Sequence, residues 1–126
     1  MCVSNIEFHG WADESTKKQL LDECDIFILP SRYEGLPVSI LEAMAYRKPI
    51  IATDVGGISS IVKPGYNGWL FDSNDIGQLD LILDEIFTNR LLLRTYGMNS
   101  YQEASKYSSE EVVHTLSGIY ESLIVE

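Results

Sequence analysis

The chain has 126 residues, the length of one domain, and 45% of them are hydrophobic, enough to build a core. Nineteen Asp plus Glu against nine Lys plus Arg leave a net charge of -10. This excludes a general nucleic-acid binder, which needs a basic face, and sets the chain as a whole against an anionic membrane surface.

Strands and helices are expected in alternation. Asn5-Ile6-Glu7-Phe8-His9 alternates apolar and polar residues and stops at Gly10, which predicts a strand. Asp13-Glu14-Ser15 opens a helix over residues 16–23, with acidic residues in the first turn where the helix dipole favours them. Asp25-Ile26-Phe27-Ile28-Leu29-Pro30-Ser31 is an apolar run that reads as a strand buried on both faces of a parallel sheet. A loop over residues 32–36 leads to a helix that starts at Pro37, a residue favoured at the first helical position, and runs to about Tyr46. Pro49-Ile50-Ile51-Ala52-Thr53 is the third strand, and a short helix follows at residues 58–62. After the turn Pro64-Gly65-Tyr66-Asn67-Gly68, Trp69-Leu70-Phe71 is the fourth strand.

From Asp75 onward only helices are expected: residues 75–87, 90–104 and 109–125. The last has Val112, Val113, Leu116, Ile119, Tyr120 and Leu123 on one face. Four strands alternating with helices, followed by a helical tail, predict an α/β doubly wound sheet. No run of about 18 apolar residues occurs, so no membrane span is expected. The opening Met1-Cys2-Val3-Ser4-Asn5-Ile6-Glu7 lacks the basic region and apolar core of a signal peptide. Cys2 and Cys24 have no His or Cys partner at metal spacing; Cys24 is expected to pack, and a reducing, cytoplasmic context follows.

Chemistry concentrates in Glu34-Gly35-Leu36-Pro37-Val38-Ser39-Ile40-Leu41-Glu42. Glu34 lies in the loop after an apolar strand, and Glu42 lies one turn inside a helix that is apolar nearly all round. Both are thereby placed near the carboxyl end of a parallel sheet, where α/β proteins hold ligands. Carboxylates accept hydrogen bonds from vicinal diols, so a sugar or a ribose is a natural ligand. The start of the helix offers N–H groups from Val38, Ser39 and Ile40 to a phosphate. Two plainer readings stand beside this one. Ser39, Glu42 and Tyr46 share a stripe that could simply face water, and loop acids such as Glu34 are common. Lys17 and Lys18 read as a solvated helix face, and His9 and His114 as structural or exposed. Gly56-Gly57 reads as a turn and helix start, with no dinucleotide fingerprint.

Four blocks carry a resemblance. They are Pro30-Ser31-Arg32-Tyr33-Glu34-Gly35-Leu36-Pro37-Val38, then Leu41-Glu42-Ala43-Met44-Ala45, then Pro49-Ile50-Ile51-Ala52-Thr53-Asp54-Val55-Gly56-Gly57, then Asn67-Gly68. In this order they resemble the donor-binding, carboxyl-terminal domain of glycosyltransferase family 4, with the two-glutamate signature of retaining GT-B enzymes. The likeness is strong from about Ile6 to Asp72 and looser through the helical tail. It implies a Rossmann-like doubly wound sheet and a nucleotide-diphosphate-sugar as co-substrate, with no cofactor and no metal. It assigns Glu34 to the catalytic site, binding donor-sugar hydroxyls, and Glu42 to the ribose. Backbone N–H groups at Gly35, Leu36 and Val38, with Ser39 beside them, would face the sugar and diphosphate. The backbone at Gly10, Trp11 and Ala12 would touch the base, and Arg32 and Tyr33 would edge the site.

The sequence departs from the family in three ways. Arg47 stands where the family has Gly, and a local adjustment is expected there. Ser60 stands where an acidic residue is common. The family's opening strands, its basic diphosphate clamp and its amino-terminal acceptor domain have no counterpart here, so the strand at Ile26 is expected to lack its neighbours and the chain to associate with itself or with a partner that supplies strands. The chain accordingly reads as a partial nucleotide-sugar-binding domain over residues 1–126. Its parent enzyme would transfer a sugar to a saccharide or lipid-linked acceptor in polysaccharide biosynthesis, in the cytoplasm or at the inner face of the membrane. The alternatives are a non-catalytic donor- or partner-binding subunit of a split glycosyltransferase and an inactive truncated product.

Overall fold

Three short apolar runs form one parallel sheet in the computed structural model, which describes residues 4–123. The elements in chain order are α1 (Glu14–Glu23), β1 (Phe27–Leu29), α2 (Val38–Ala45), β2 (Ile50–Thr53), α3 (Ile58–Ile61), β3 (Gly68–Phe71), α4 (Ile76–Thr88), α5 (Leu91–Ser105) and α6 (Ser109–Leu123). The strand order is β1-β2-β3, with Phe27 opposite Ile50 and Ile50 opposite Gly68. Parallel neighbours need crossover connections, which α2 and α3 supply.

Strand alternation divides the core between two faces. On one face Ile50 and Ala52 join Leu21, Ile40, Ala43, Met44, Ile58, Ile61 and Val62. On the other, Ile51, Trp69 and Phe71 meet Ile86 of α4 and Tyr96 of α5. β2 is buried along its whole length. The architecture is the expected α/β, Rossmann-like, doubly wound one.

The boundaries of the helices follow local chemistry. Asp13 caps α1, its Oδ1 accepting from the Thr16 N–H at 2.8 Å. Asp75 caps α4 in the same way through Gln78. Pro37 proves to be the N-cap of α2 and not its first helical residue, in extended backbone at φ -74° and ψ 120°. The Ile40 N–H is then used locally, on the Pro37 carbonyl at 3.2 Å. Arg47 makes no adjustment at the far end of α2. It takes the left-handed conformation at φ 58°, and the Lys48 and Arg47 N–H groups close a Schellman cap on Ala43 and Met44. Its guanidinium lies 4.9 Å from the centre of the Tyr101 ring.

Four expectations need correction. Residues 5–9 form no strand: they are exposed, with Phe8 93% accessible, and pair with no neighbour. An alternating pattern makes a strand only where a sheet edge receives it, and β1 pairs with β2 alone. The described residues therefore hold three strands, not four. β1 itself is not buried on both faces, because its outer edge is uncovered and Ile28 is 42% accessible. α2 is not buried all round: Ile40, Ala43 and Met44 face the core while Val38 and Ala45 are exposed. The apolar positions of α6 do line one helix, but all of them are exposed. Cys2 and the last two residues of the helix expected over 109–125 lie outside the described residues.

Candidate donor-binding site

The carboxyl ends of β1 and β2 lie side by side, and the loops that leave them are tied together. Thr53, the last residue of β2 and 1% accessible, donates its hydroxyl to the carbonyl of Ser31 beyond β1. The Ser31 hydroxyl in turn donates to Glu34 Oε1 at 2.7 Å. The Gly57 N–H donates to the Gly35 carbonyl at 2.9 Å. Gly56 sits at φ 56°, and a Cβ there would lie 1.7 Å from the Glu34 carbonyl oxygen. Glycine is therefore required at that position on two counts, conformation and space. Gly56-Gly57 is more than a turn, since it is the floor on which the Glu34-Gly35 peptide rests.

Glu42 is half-buried on α2, one turn beyond the Val38 and Ser39 N–H groups that begin the helix. Val38, Leu41 and Glu42 line a hollow of about 500 Å3 whose other wall is Tyr101, Ala104 and Tyr107 of α5 and the turn after it. On its other side Glu42 accepts from the Lys17 ammonium, Nζ to Oε1, at 2.7 Å. Lys17 is thus no plain solvated residue. It also lies 3.1 Å from Glu14 Oε2. The hydrogen bonds to Glu42 first and Glu14 second hold the Lys17 ammonium above the ordinary lysine range.

The remaining sequence candidates fall around this centre. Gly10 is left-handed at φ 62°, Trp11 is exposed, and Ala12 shares the wall of a small hollow with Lys17, Cys24 and Phe27. Ala12 thus lines a hollow with Lys17, the partner of Glu42. Leu36 is exposed beside Gly57. Arg32 and Tyr33 are exposed on the loop. Cys24 packs with its Sγ 3.6 Å from the Leu21 carbonyl, and burial pushes its thiol up. No group of three or more His, Cys, Asp or Glu gathers among the described residues.

Sequence reasoning passed over Ser31 and Thr53, whose hydroxyls anchor the loop, and Lys17, whose partner is 25 positions away. A hydroxyl residue at the carboxyl end of each neighbouring strand was the available signal for the first two. The Lys17–Glu42 pair had none, since it depends on how α1 lies against α2.

Known proteins are similar to this chain in sequence and fold. The family described as glycosyl transferases group 1 matches residues 3–107. An uncharacterised glycosyltransferase of Methanocaldococcus jannaschii is 36% identical over 121 residues, spanning 96% of this chain and 34% of its own length. The N,N'-diacetylbacillosaminyl-diphospho-undecaprenol α-1,3-N-acetylgalactosaminyltransferase of Campylobacter jejuni is 30% identical over 84% of this chain and 28% of its own length. The chain thus spans about a third of the length of these curated relatives. Among solved structures, sucrose-phosphate synthase from Thermosynechococcus elongatus superposes with a TM-score of 0.84 at 26% identity, over 95% of this chain and 30% of that one. The C-terminal domain of a group 1 family protein from Francisella tularensis gives a TM-score of 0.72 at 27% identity, over 81% and 53%. With the two-glutamate loop and helix standing at the carboxyl end of a sheet of this kind, the chain belongs to the group 1 glycosyl transferases.

Proposed function

We propose that this chain is the nucleotide-diphosphate-sugar-binding part of a retaining glycosyltransferase. The observation that carries the reading is the braced pair of loops that holds Glu34 over Gly56-Gly57 while α2 presents Glu42 one turn behind its free N–H groups. Glu34 accepts hydrogen bonds from the donor sugar, and Glu42 accepts from the ribose diol. The N–H groups of Gly35, Leu36, Val38 and Ser39 meet the sugar and diphosphate, and the backbone of Gly10, Trp11 and Ala12 meets the base.

In the complete enzyme the acceptor hydroxyl attacks the anomeric carbon from the face the diphosphate leaves. The bond from that carbon to the diphosphate oxygen breaks, and the departing diphosphate takes the acceptor proton. Glu34 positions the sugar and is not the attacking group. No metal enters this scheme. An acceptor domain, or a partner chain that supplies one, completes the cleft. Relatives named for diphospho-undecaprenol acceptors suggest a lipid-linked saccharide as acceptor, and the inner face of a membrane as the place of work. No described helix is long and apolar enough to cross that membrane.

Calorimetry or NMR titration with UDP-, GDP- and ADP-sugars and the bare nucleotides tests the reading. Glu42→Ala should weaken sugar-bearing and bare nucleotides alike, and Glu34→Ala should weaken the sugar-bearing one more. Each lost charge-assisted hydrogen bond is worth about 1.5–3 kcal/mol. Equal losses for both ligands in both variants would overturn the division of roles. A second reading, a donor-binding subunit without catalysis of its own, is favoured by the edge of β1, which no strand covers among the described residues. Turnover needs an acceptor held against the donor, and purified chain should bind without turning over.

A further inference from the structure

Lys17 is a charged group paired directly with Glu42 that the proposed reading leaves without a task. Its ammonium reaches from α1 to Glu42 Oε1 at 2.7 Å, and both side chains are about equally accessible, at 36% and 37%. Exposed pairs of this kind contribute little to stability, so the role of the contact has to be sought in Glu42. Two features single it out. The lysine uses one carboxylate oxygen and leaves the rest of the acceptor capacity open, since an ionised carboxylate has about four lone-pair sites. It also sets a positive charge against one of two carboxylates that flank the route of a diphosphate, in a chain of net charge -10. Glu14, 3.1 Å from the same ammonium, holds it from the other side, so Lys17 is tethered in place and not swung out into solvent.

We propose that Lys17 is a positioning residue for Glu42, fixing its carboxylate and offsetting its charge so that an anionic nucleoside diphosphate is admitted beside the acid that holds its ribose. The inference rests on the donor-site reading above. Glu42 without Lys17 would still accept from a ribose diol, and would at the same time repel the phosphates attached to it. The lysine separates these two effects, and the separation can be measured.

The full chain is titrated by NMR with UDP, GDP and ADP and with the nucleosides uridine, guanosine and adenosine, in the wild type and in Lys17→Met, Lys17→Gln and Lys17→Arg. For the base that binds best, Lys17→Met and Lys17→Gln should weaken the diphosphate about 10-fold and the nucleoside no more than about threefold. Lys17→Arg should restore the diphosphate to within about threefold of wild type, and raising the salt should narrow the gap between wild type and Lys17→Met. Unchanged unfolding midpoints establish that the losses are not unfolding, and Lys17→Gln replaces Lys17→Met if the latter is destabilised. Equal weakening of diphosphate and nucleoside, or no weakening, overturns the role of Lys17 and leaves the donor site standing. A wild type that binds none of the six overturns the donor-site reading and this inference together.

Discussion

The carboxyl end of the sheet and its outer edge are built to opposite standards. At the carboxyl end, Thr53, Ser31, Glu34, Gly35 and Gly57 are linked in a continuous set of hydrogen bonds, and a single added carbon at Gly56 has no room. At the outer edge, β1 pairs with no further strand among the described residues, and its Ile28 stands exposed. The contrast separates recognition from assembly. Everything that fixes the two glutamates lies between β1 and β3 or on α1, and none of it depends on the edge. A change at the edge should alter association and leave the site intact, whereas a change under the loop should do the reverse.

The largest effect is expected beneath the loop. Gly56→Ala forces a β-carbon into the Glu34 carbonyl in a left-handed conformation, and should cost about 3 kcal/mol or more in urea unfolding. A loss under about 1 kcal/mol would mean that the two loops are not in fact locked. Next comes the edge. Unpaired strand backbone seeks a partner, so the chain should associate as its concentration rises, by light scattering, and Ile28→Lys should suppress this. A clean monomer with strongly protected amides from Ile26 to Leu29 would show instead that the edge closes internally.

A third comparison concerns charge. Glu103 is almost wholly buried on α5 between Lys63 at 2.8 Å and Lys106 at 2.7 Å. Burial pushes its carboxyl up, but the hydrogen bonds from Lys106 and Lys63 outweigh that and hold it below the ordinary value of 4.5. A depressed carboxyl contributes in full above its unfolded value and loses that contribution as pH falls through the folded one. Glu103→Gln should therefore cost about 1–2 kcal/mol at neutral pH and progressively less below pH 4.5. A constant difference across that window would assign the loss to packing. The smallest effect is at Arg47. Glycine there should relieve about 1 kcal/mol of left-handed strain and forfeit about 0.5 kcal/mol of contact with Tyr101. The net gain should double in a Tyr101→Ala background.

What could be read from the sequence was what repeats or punctuates. The apolar runs at Ile26 and Ile50, the helix starts near Asp13 and Asp75 and the turn at Gly56-Gly57 each act over a few residues, and each was placed to within one or two positions. Residues 5–9 alternate as a strand should and yet pair with nothing, because alternation describes a face and not the neighbour that must receive it. Glu103 was not singled out, since nothing within α5 announces that Lys63, 40 positions earlier, closes over it. Lys17 failed for the same reason. Ions held between elements are set by packing, which leaves no local period. The loop acid Glu34 was found because its surroundings are short-range, although the floor beneath it was not recognised as one.

The contact of Gly56-Gly57 with the Glu34-Gly35 peptide makes two loops on adjacent strands a single lever. Whatever grips Glu34 must also load the start of α3, which Gly57 caps. Ser59 is exposed on that short helix and away from both glutamates in sequence. A reporter group attached there should register whether the loop that carries Glu34 is held or released.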